Sequence, residues 1–149
     1  MDQFETFTGS ILELNRYLQK IKDLEMKPLG LRANHVMCLY YLGKNPQGLT
    51  VTELVHASRE DKAAVSRCVS DLLARKLVTG NFQENKRSYR TKLTLTEAGE
   101  QLVQQVYRRV DSAVAGGGEG LTPQQRETLY EAMEIIINNL ARYLAQREK

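Results

Sequence analysis

The segment from Ser58 to Gly99 constrains the fold of this 149-residue chain more than any other stretch. Its first half repeats apolar residues at steps of three and four, which predicts a helix with one buried face. That face consists of Val65, Val69, Leu72 and Leu73, with Cys68 at its edge. A charged loop follows and leads into residues of alternating polarity, the period of a β-strand. The segment therefore predicts a helix followed by a hairpin.

The opposite face of the same helix is small, polar and basic. It carries Lys62, Ala63, Ser66, Arg67 and Ser70. Residues 58–92 hold nine lysines and arginines against four acids, a net charge of +5, whereas the rest of the chain has a net charge of −2. Such a local excess suits a polyanion, because phosphate contacts supply most non-specific affinity for nucleic acid. A solvated charged surface without a partner is the alternative.

A shorter helix precedes this one, from Thr50 to Ala57. Thr50 and Glu53 have the spacing of a capping box, in which the two side chains satisfy free backbone N–H groups. Ser58 and Asp61 repeat the spacing, which predicts a second helix start a few residues later. Two short capped helices so close together are typical of a helix-turn-helix.

The predicted hairpin has strands from Leu77 to Phe82 and from Tyr89 to Leu95, with a charged tip at 84–88. Alternation directs Arg90 and Lys92 outward. A short hairpin beside a helix-turn-helix is a wing, and a helix with a wing can place one element in a DNA groove and the other on the neighbouring backbone.

Long helices are predicted on both sides of this region. The first runs from Phe4 to about Asp23 and the next from about Arg32 to Gly43, and a third runs from near Thr96 to about Val114. A glycine run at 116–120 interrupts that helix, and Thr122 caps the last one. The first and last helices have wide apolar surfaces that a monomer of this size can hardly bury, which predicts a dimer interface. Packing of both inside the monomer is the alternative.

Composition excludes several other classes of protein. With 42% hydrophobic and 26% charged residues the chain is globular, and it has neither the roughly 20 apolar residues of a membrane span nor a signal pattern, so we expect it in the cytoplasm. Two cysteines and two histidines are too few for a disulfide framework or a zinc site. No nucleophile–base pair, phosphate loop or paired carboxylates indicate an enzyme, and no cofactor is expected.

The segment GLTVTELVHASREDKAAVSRCVSDLLARKLV, followed by a hairpin and LTLTEAG, resembles the MarR (multiple antibiotic resistance regulator) family of transcription factors. The resemblance covers nearly the whole chain and implies a winged-helix homodimer that binds a palindromic operator on double-stranded DNA, usually as a repressor. It implies that the residues facing bases and phosphates are Lys62, Ala63, Ser66, Arg67 and Ser70. Among them Arg67 is the strongest candidate, because its guanidinium can bind a guanine edge or a phosphate bidentately. Lys86, Arg87 or Arg90 would reach the minor groove or backbone. Many members have an Asp-x-Arg-like wing pattern where this chain has NKRSYRTK, so the choice among the three stays open.

The resemblance also implies a small effector, aromatic or anionic, that loosens the hold on DNA. Residues that could contribute to its pocket are Arg16, Tyr17, His35, Tyr40 and Tyr107. Some relatives sense oxidants through a cysteine near the N-terminal helix. This chain has none there, and Cys38 and Cys68 fall in predicted helices, where we expect inert core or edge residues.

The predicted architecture is mainly α with a small β-hairpin wing, in one domain of residues 1–149. Dimerisation helices occupy about 1–30 and 97–149, and the winged helix-turn-helix lobe occupies about 31–96. The expected function is a sequence-specific DNA-binding regulator that acts as a ligand-responsive repressor. The alternative is a winged-helix protein–protein adaptor without DNA contact, against which the basic residues of one face argue.

Overall fold

The computed structural model describes residues 2–81 and 90–148. Its helices are α1 (Gln3–Met26), α2 (Ala33–Lys44), α3 (Val51–Ser58), α4 (Lys62–Ala74), α5 (Glu97–Gly117) and α6 (Pro123–Arg147). A single 3₁₀ turn, Lys27–Leu29, follows α1, and two short strands, β1 (Val78–Gly80) and β2 (Leu93–Leu95), lie between α4 and α5. The predicted mainly helical fold with a small hairpin is confirmed.

Side-chain caps start at least four of the helices, because Asp2, Thr50, Asp61 and Thr122 accept backbone N–H groups at the starts of α1, α3, α4 and α6. Capping boxes at Thr50 and Thr122 start α3 and α6 as predicted. The start of α4 differs from the prediction, because Ser58 is the last residue of α3 and only Asp61 caps α4. Its carboxylate accepts a hydrogen bond of 2.7 Å from the N–H of Ala64. The reason lies in Arg59, whose left-handed backbone (φ 59°) ends α3 at Ser58.

The chain divides into two compact units, Met1–Asp111 and Ser112–Lys149, and α5 runs across the boundary. The first unit holds the buried core, which the last residue of α1, the helices α2 to α5 and the two strands build. Its most deeply buried side chains are Met26, Leu39, Leu42, Leu54, Leu72, Leu93, Val51, Val65, Val69, Val103 and Val106. These positions include Val65, Val69 and Leu72 of the apolar stripe predicted for α4, whereas Leu73 is half-buried.

The two strands pair antiparallel, with Val78 opposite Leu95 and Gly80 opposite Leu93. Leu49 adds a β-bridge to Leu93, which ties the loop before α3 to the sheet. The close approach of α5 to β1 requires Gly99, because a Cβ there would collide with the carbonyl of Leu77. The predicted hairpin tip at 84–88 lies outside the described residues.

The second unit contains the end of α5 and all of α6. The glycine run interrupts the helix later than predicted, because α5 continues through Gly116 and Gly117 and the turn begins at Gly118. In α6 no residue is buried. No described helix combines the length and the apolar character that a membrane crossing requires.

Candidate nucleic-acid interface

Helix α4 presents two contrasting faces. Val65, Val69 and Leu72 are fully buried against the core, because α4 packs on both α2 and α3. On the other side Lys62, Ala63, Arg67 and Ser70 are exposed and Ser66 is half-buried. The structure thus brings all five predicted contact residues to one side of one helix.

This exposed face has the dimensions and the donors that a DNA major groove accepts. Thirteen residues at about 1.5 Å each make a rod of about 20 Å, and the major groove of B-DNA is about 12 Å wide. Ala63 lets the first turn approach a surface closely. Arg67 carries an exposed guanidinium, whose fork of N–H groups fits guanine or phosphate oxygens.

The described part of the wing contains Arg90 and Lys92, both exposed as predicted. The ammonium of Lys92 binds the carboxylate of Glu53 at 2.7 and 3.2 Å, and this bond holds the pKa of Glu53 below its usual value. Lys92 therefore connects β2 to the first turn of α3. The other two predicted wing residues, Lys86 and Arg87, lie outside the described residues.

His35 is almost completely buried, with 1% of its surface exposed. Its Nε2 lies 2.5 Å from the carboxylate of Asp71 in α4, and that carboxylate also binds Nε of Arg75 at 3.1 Å. We call His35, Asp71 and Arg75 the α2–α4 clasp. Burial opposes ionisation of Asp71, but the hydrogen bond from His35 and the charge of Arg75 outweigh it and lower its pKa.

Sequence reasoning missed Asp71 and Arg75 as members of a polar cluster. Their i, i+4 spacing could have indicated the ion pair between them. Nothing in the sequence indicates the third member, because His35 is 36 residues away from Asp71 along the chain.

Tyr40 and Tyr107, two of the residues predicted for an effector pocket, contact each other. Their rings pack edge to face with centroids 5.4 Å apart, and the hydroxyl of Tyr107 donates to the carbonyl of Tyr40 at 3.2 Å. Burial raises the pKa of Tyr107. The ammonium of Lys44 lies 4.5 Å from the Tyr107 ring and 5.4 Å from the Tyr40 ring, so it adds a cation that sequence reasoning did not include.

The remaining predicted pocket residues lie elsewhere. Arg16 and Tyr17 are exposed on α1, where the guanidinium stacks on the phenol ring at 5.2 Å. His35 has partners at both ring nitrogens, since its Nδ1 accepts a hydrogen bond of 2.9 Å from the N–H of Arg32. Of the five residues predicted for the pocket, only Tyr40 and Tyr107 therefore lie together with Lys44. We call these three residues the aromatic cluster.

Both cysteines are buried. Cys68 was expected at the edge of the apolar stripe, but only 1% of its surface is exposed, because that side of α4 faces α2 and not solvent. Its thiol lies 3.4 Å from the carbonyl of Asn34. A hydrogen bond with Cys38, together with burial, raises the pKa of Cys68 well above its usual range. Within residues 2–81 and 90–148 no group of histidine, cysteine and acidic side chains could hold a metal ion.

The sequence matches no family model and no curated protein. Solved structures do match over most of the chain. A MarR-family transcriptional regulator from Listeria monocytogenes, complexed with a 26mer DNA, is 26% identical and has a TM-score of 0.77, and the alignment covers 95% of this chain and 91% of that one. The MepR–DNA complex of Staphylococcus aureus is 18% identical with a TM-score of 0.81, covering 93% and 99%.

A third match is the MarR protein of Staphylococcus aureus in complex with salicylate and kanamycin. It is 19% identical with a TM-score of 0.74, and the alignment covers 93% of this chain and 92% of that one. The chain has the winged-helix fold of MarR-family transcriptional regulators, and the resemblance carried by its sequence motifs is confirmed. The matched proteins named here are regulators of transcription and not enzymes.

Proposed function

We propose that this protein is a sequence-specific DNA-binding transcriptional regulator that acts as a homodimeric, ligand-responsive repressor on a palindromic operator. The observation that carries the proposal is the exposed side of α4, where Ala63, Arg67 and Ser70 lie opposite the buried Val65, Val69 and Leu72 and Lys62 is exposed in the first turn. A helix of this kind inserts its outer side chains into the major groove while its inner side chains keep it on the protein. A DNA partner also agrees with the predicted cytoplasmic location.

Two of the matched structures support this assignment by what they contain. The regulator from Listeria and MepR are both complexed with DNA, and both share the fold over more than nine tenths of this chain. The basic residues argue against a protein–protein adaptor, because an adaptor does not need Lys62 and Arg67 on one exposed face.

A second copy of the chain is the partner that we propose for the apolar faces of α1 and α6. In α1 the side chains of Phe4, Phe7, Ile11, Leu14, Leu18 and Ile21 are between 39% and 72% exposed. Large contiguous apolar surfaces of this kind mark interaction sites in soluble proteins. Two-fold symmetry would then present two α4 helices to two half-sites about 34–36 Å apart, which explains the palindromic operator.

The aromatic cluster is the place that we propose for an effector. Tyr40 and Tyr107 offer ring surfaces, and Lys44 offers a positive charge within 5.4 Å of both ring centroids. A small aromatic anion matches that combination of stacking and charge. The salicylate bound to the related Staphylococcus aureus protein supports this class of molecule. Arg16 and Tyr17 of the predicted pocket are retained as candidates on α1.

The proposal is tested by selecting bound duplexes from a random pool and titrating the enriched duplex by fluorescence anisotropy. We expect palindromic sequences, and an affinity that falls steeply with salt because counterions are released. Arg67→Ala should weaken specific binding by about 1–3 kcal/mol. Arg108→Ala removes the same charge from the exposed surface of α5 and should leave specific binding unchanged.

Three outcomes would contradict parts of this proposal. Failure to bind any duplex at low salt would exclude the DNA-binding function. A strictly monomeric protein in sedimentation experiments would exclude the homodimer. Equal losses from Arg67→Ala and Arg108→Ala would exclude α4 as the element that contacts the bases.

A further inference from the structure

The turn between α3 and α4 contains a residue in a backbone conformation that is unfavourable for it. Arg59 has a φ of 59° and a ψ of 19°, which is the left-handed region. A Cβ atom makes this region costly, so few residues other than glycine adopt it. Glycine would occupy the position without steric cost. The chain therefore has an arginine where a glycine would give a more stable protein.

Two hydrogen bonds hold the backbone of this turn. The N–H of Arg59 donates to the carbonyl of Val55 at 3.0 Å. The N–H of Glu60 donates to the hydroxyl of Ser58 at 3.3 Å. A left-handed residue persists where its surroundings determine the backbone in this way, and such residues concentrate at binding sites. The side chain of Arg59 therefore leaves the protein from a defined position on the turn.

The guanidinium of Arg59 is available to a ligand. The residue is exposed, and in the part of the chain that the structure describes its guanidinium has neither an ion pair nor a hydrogen bond. Two acids, Glu60 and Asp61, follow it, but the carboxylate of Asp61 is engaged in capping α4, where it accepts the N–H of Ala64 at 2.7 Å. A guanidinium has five N–H donors in a planar fork that fits a phosphate bidentately.

Arg59 lies beside the end of α4 that we propose for the DNA groove. It precedes Lys62, the first residue of α4, by three positions. The N-terminal residues of such a helix contact base edges. The major groove is about 12 Å wide, so the phosphates on either side lie roughly 6 Å from its centre. A cation on the turn that leads into α4 is thus placed beside one of the two DNA backbones.

We propose that Arg59 binds a phosphate of the DNA backbone, and that its left-handed conformation lowers the stability of the protein in order to direct this guanidinium to the duplex. This inference rests on the proposed function. A phosphate contact adds affinity for every sequence and carries no sequence information itself. Arg59 would therefore act differently from Arg67, which we assign to the bases.

The chain offers a matched control at the other end of the same helix. In the described residues Lys76 is the other non-glycine residue with a positive φ, 58°, and it is also an exposed cation. It follows Ala74, the last residue of α4. At about 1.5 Å per residue, this end of the helix is about 20 Å from Lys62. Lys76→Gly therefore removes a strained backbone and a positive charge away from the groove.

The experiment combines two measurements on each variant. The first is the melting temperature without DNA, which should rise by about 3 °C in both Arg59→Gly and Lys76→Gly because the strain is removed. The second is affinity for the enriched duplex and for an unrelated duplex, measured by fluorescence anisotropy at about 50 and 200 mM salt. Only Arg59→Gly should lose affinity, by about tenfold for both duplexes at the lower salt concentration.

The salt dependence identifies the lost contact as a phosphate contact. One such contact contributes about 0.9 to the slope of log affinity against log salt. The deficit of Arg59→Gly should therefore shrink about threefold between 50 and 200 mM salt. Lys76→Gly should keep the slope of the wild type.

Two further variants separate the guanidinium from the backbone of the turn. Arg59→Ala removes the charge but keeps a Cβ in the left-handed region, so it should lose as much affinity as Arg59→Gly without the gain in melting temperature. Arg59→Lys keeps the charge and should keep most of the affinity and the salt slope. A loss of affinity in Arg59→Gly alone would assign the effect to a more flexible turn and overturn the proposal.

The remaining contrary results fall into three groups. Wild-type affinity in Arg59→Gly, or an equal loss in Lys76→Gly, would overturn the phosphate contact and leave DNA binding in place. A loss confined to the enriched duplex would make Arg59 a base contact instead. A melting temperature of Arg59→Gly at or below that of the wild type would refute the loss of stability at this turn. If the wild type binds no duplex, the proposed function and this inference fail together.

Discussion

Helices α4 and α6 show how differently two apolar patterns of one chain are used. In α4 Val65, Cys68, Val69 and Leu72 are fully buried, and the outer face is polar and basic. In α6, which is almost twice as long, apolar residues recur at helical spacing and none is buried. The pattern of α4 is satisfied within the chain, whereas for that of α6 we propose a second copy of the chain as the partner. The comparison separates residues that hold the fold from residues that we assign to assembly.

The largest expected effect comes from shortening a side chain on the inner face of α4. Leu72→Ala removes a fully buried side chain (0% exposed) and should lower the free energy of unfolding by about 2–5 kcal/mol, through lost burial and the cavity left behind. Urea denaturation at fixed protein concentration measures the loss. A change below about 1 kcal/mol would mean that α4 is not anchored through this stripe.

The matching change in α6 should act on assembly and not on folding of the subunit. Leu140, which is 53% exposed, becomes charged in Leu140→Glu, and a charge in an apolar interface should weaken the dimer at least tenfold. Sedimentation velocity over a range of concentrations measures the shift to monomer. An unchanged sedimentation profile together with a lower melting temperature would place Leu140 inside the subunit and remove the contrast with α4.

The turn before α4 offers a smaller effect of opposite sign. Arg59 has a φ of 59°, a left-handed backbone that glycine adopts at no steric cost. We expect Arg59→Gly to stabilise the protein by about 1 kcal/mol. Thermal unfolding measures the gain, with Arg59→Ala as the control that removes the same side chain but keeps the strain. Equal melting temperatures for the two variants would show that the backbone at this turn is unstrained.

The smallest effect is expected at the surface ion pair between Glu53 and Lys92. Both side chains are exposed to solvent, which screens their attraction, so breaking the pair with Lys92→Met should change the stability less than any of the substitutions above. The stability that depends on ionised Glu53 should disappear as the pH falls through its lowered pKa, because the unfolded chain binds that proton first. Comparison of the two pH–stability curves measures this. A loss of stability as large as that of Leu72→Ala would show that this ion pair stabilises the protein as much as a core side chain does.

Capping residues and helical periodicity predicted most of the helices and strands. They failed where a helix boundary or the burial of a side chain depends on backbone conformation or on packing against another helix. Capping residues at Thr50 and Thr122 predicted two helix starts correctly, because a cap acts within four residues of the chain. Ser58 was misassigned as a cap, since the sequence does not show that Arg59 adopts a left-handed backbone. Cys68 was placed at an edge, since the pattern of one helix does not show that α2 covers that side.

The residues of the candidate interface likewise include some that the sequence predicts and some that it does not. The outer face of α4 was predictable at Arg67, because helical periodicity alone places it opposite Val65 and Val69, whereas Lys62 lies seven residues before Val69 and is exposed in the first turn. The α2–α4 clasp and the position of Lys44 beside two tyrosine rings were not predictable. Each depends on residues dozens of positions apart that only packing brings within hydrogen-bonding or van der Waals distance.

The sequence by itself determined the order of the helices, the two-faced character of α4 and the local excess of positive charge, because caps, periodicity and composition act over a few residues. Only the tertiary structure decided which polar side chains meet. It placed His35 against Asp71 and Lys92 against Glu53, and it left the apolar face of α6 without a buried residue. Those outcomes depend on how α2, α4 and the sheet pack, which no local pattern encodes.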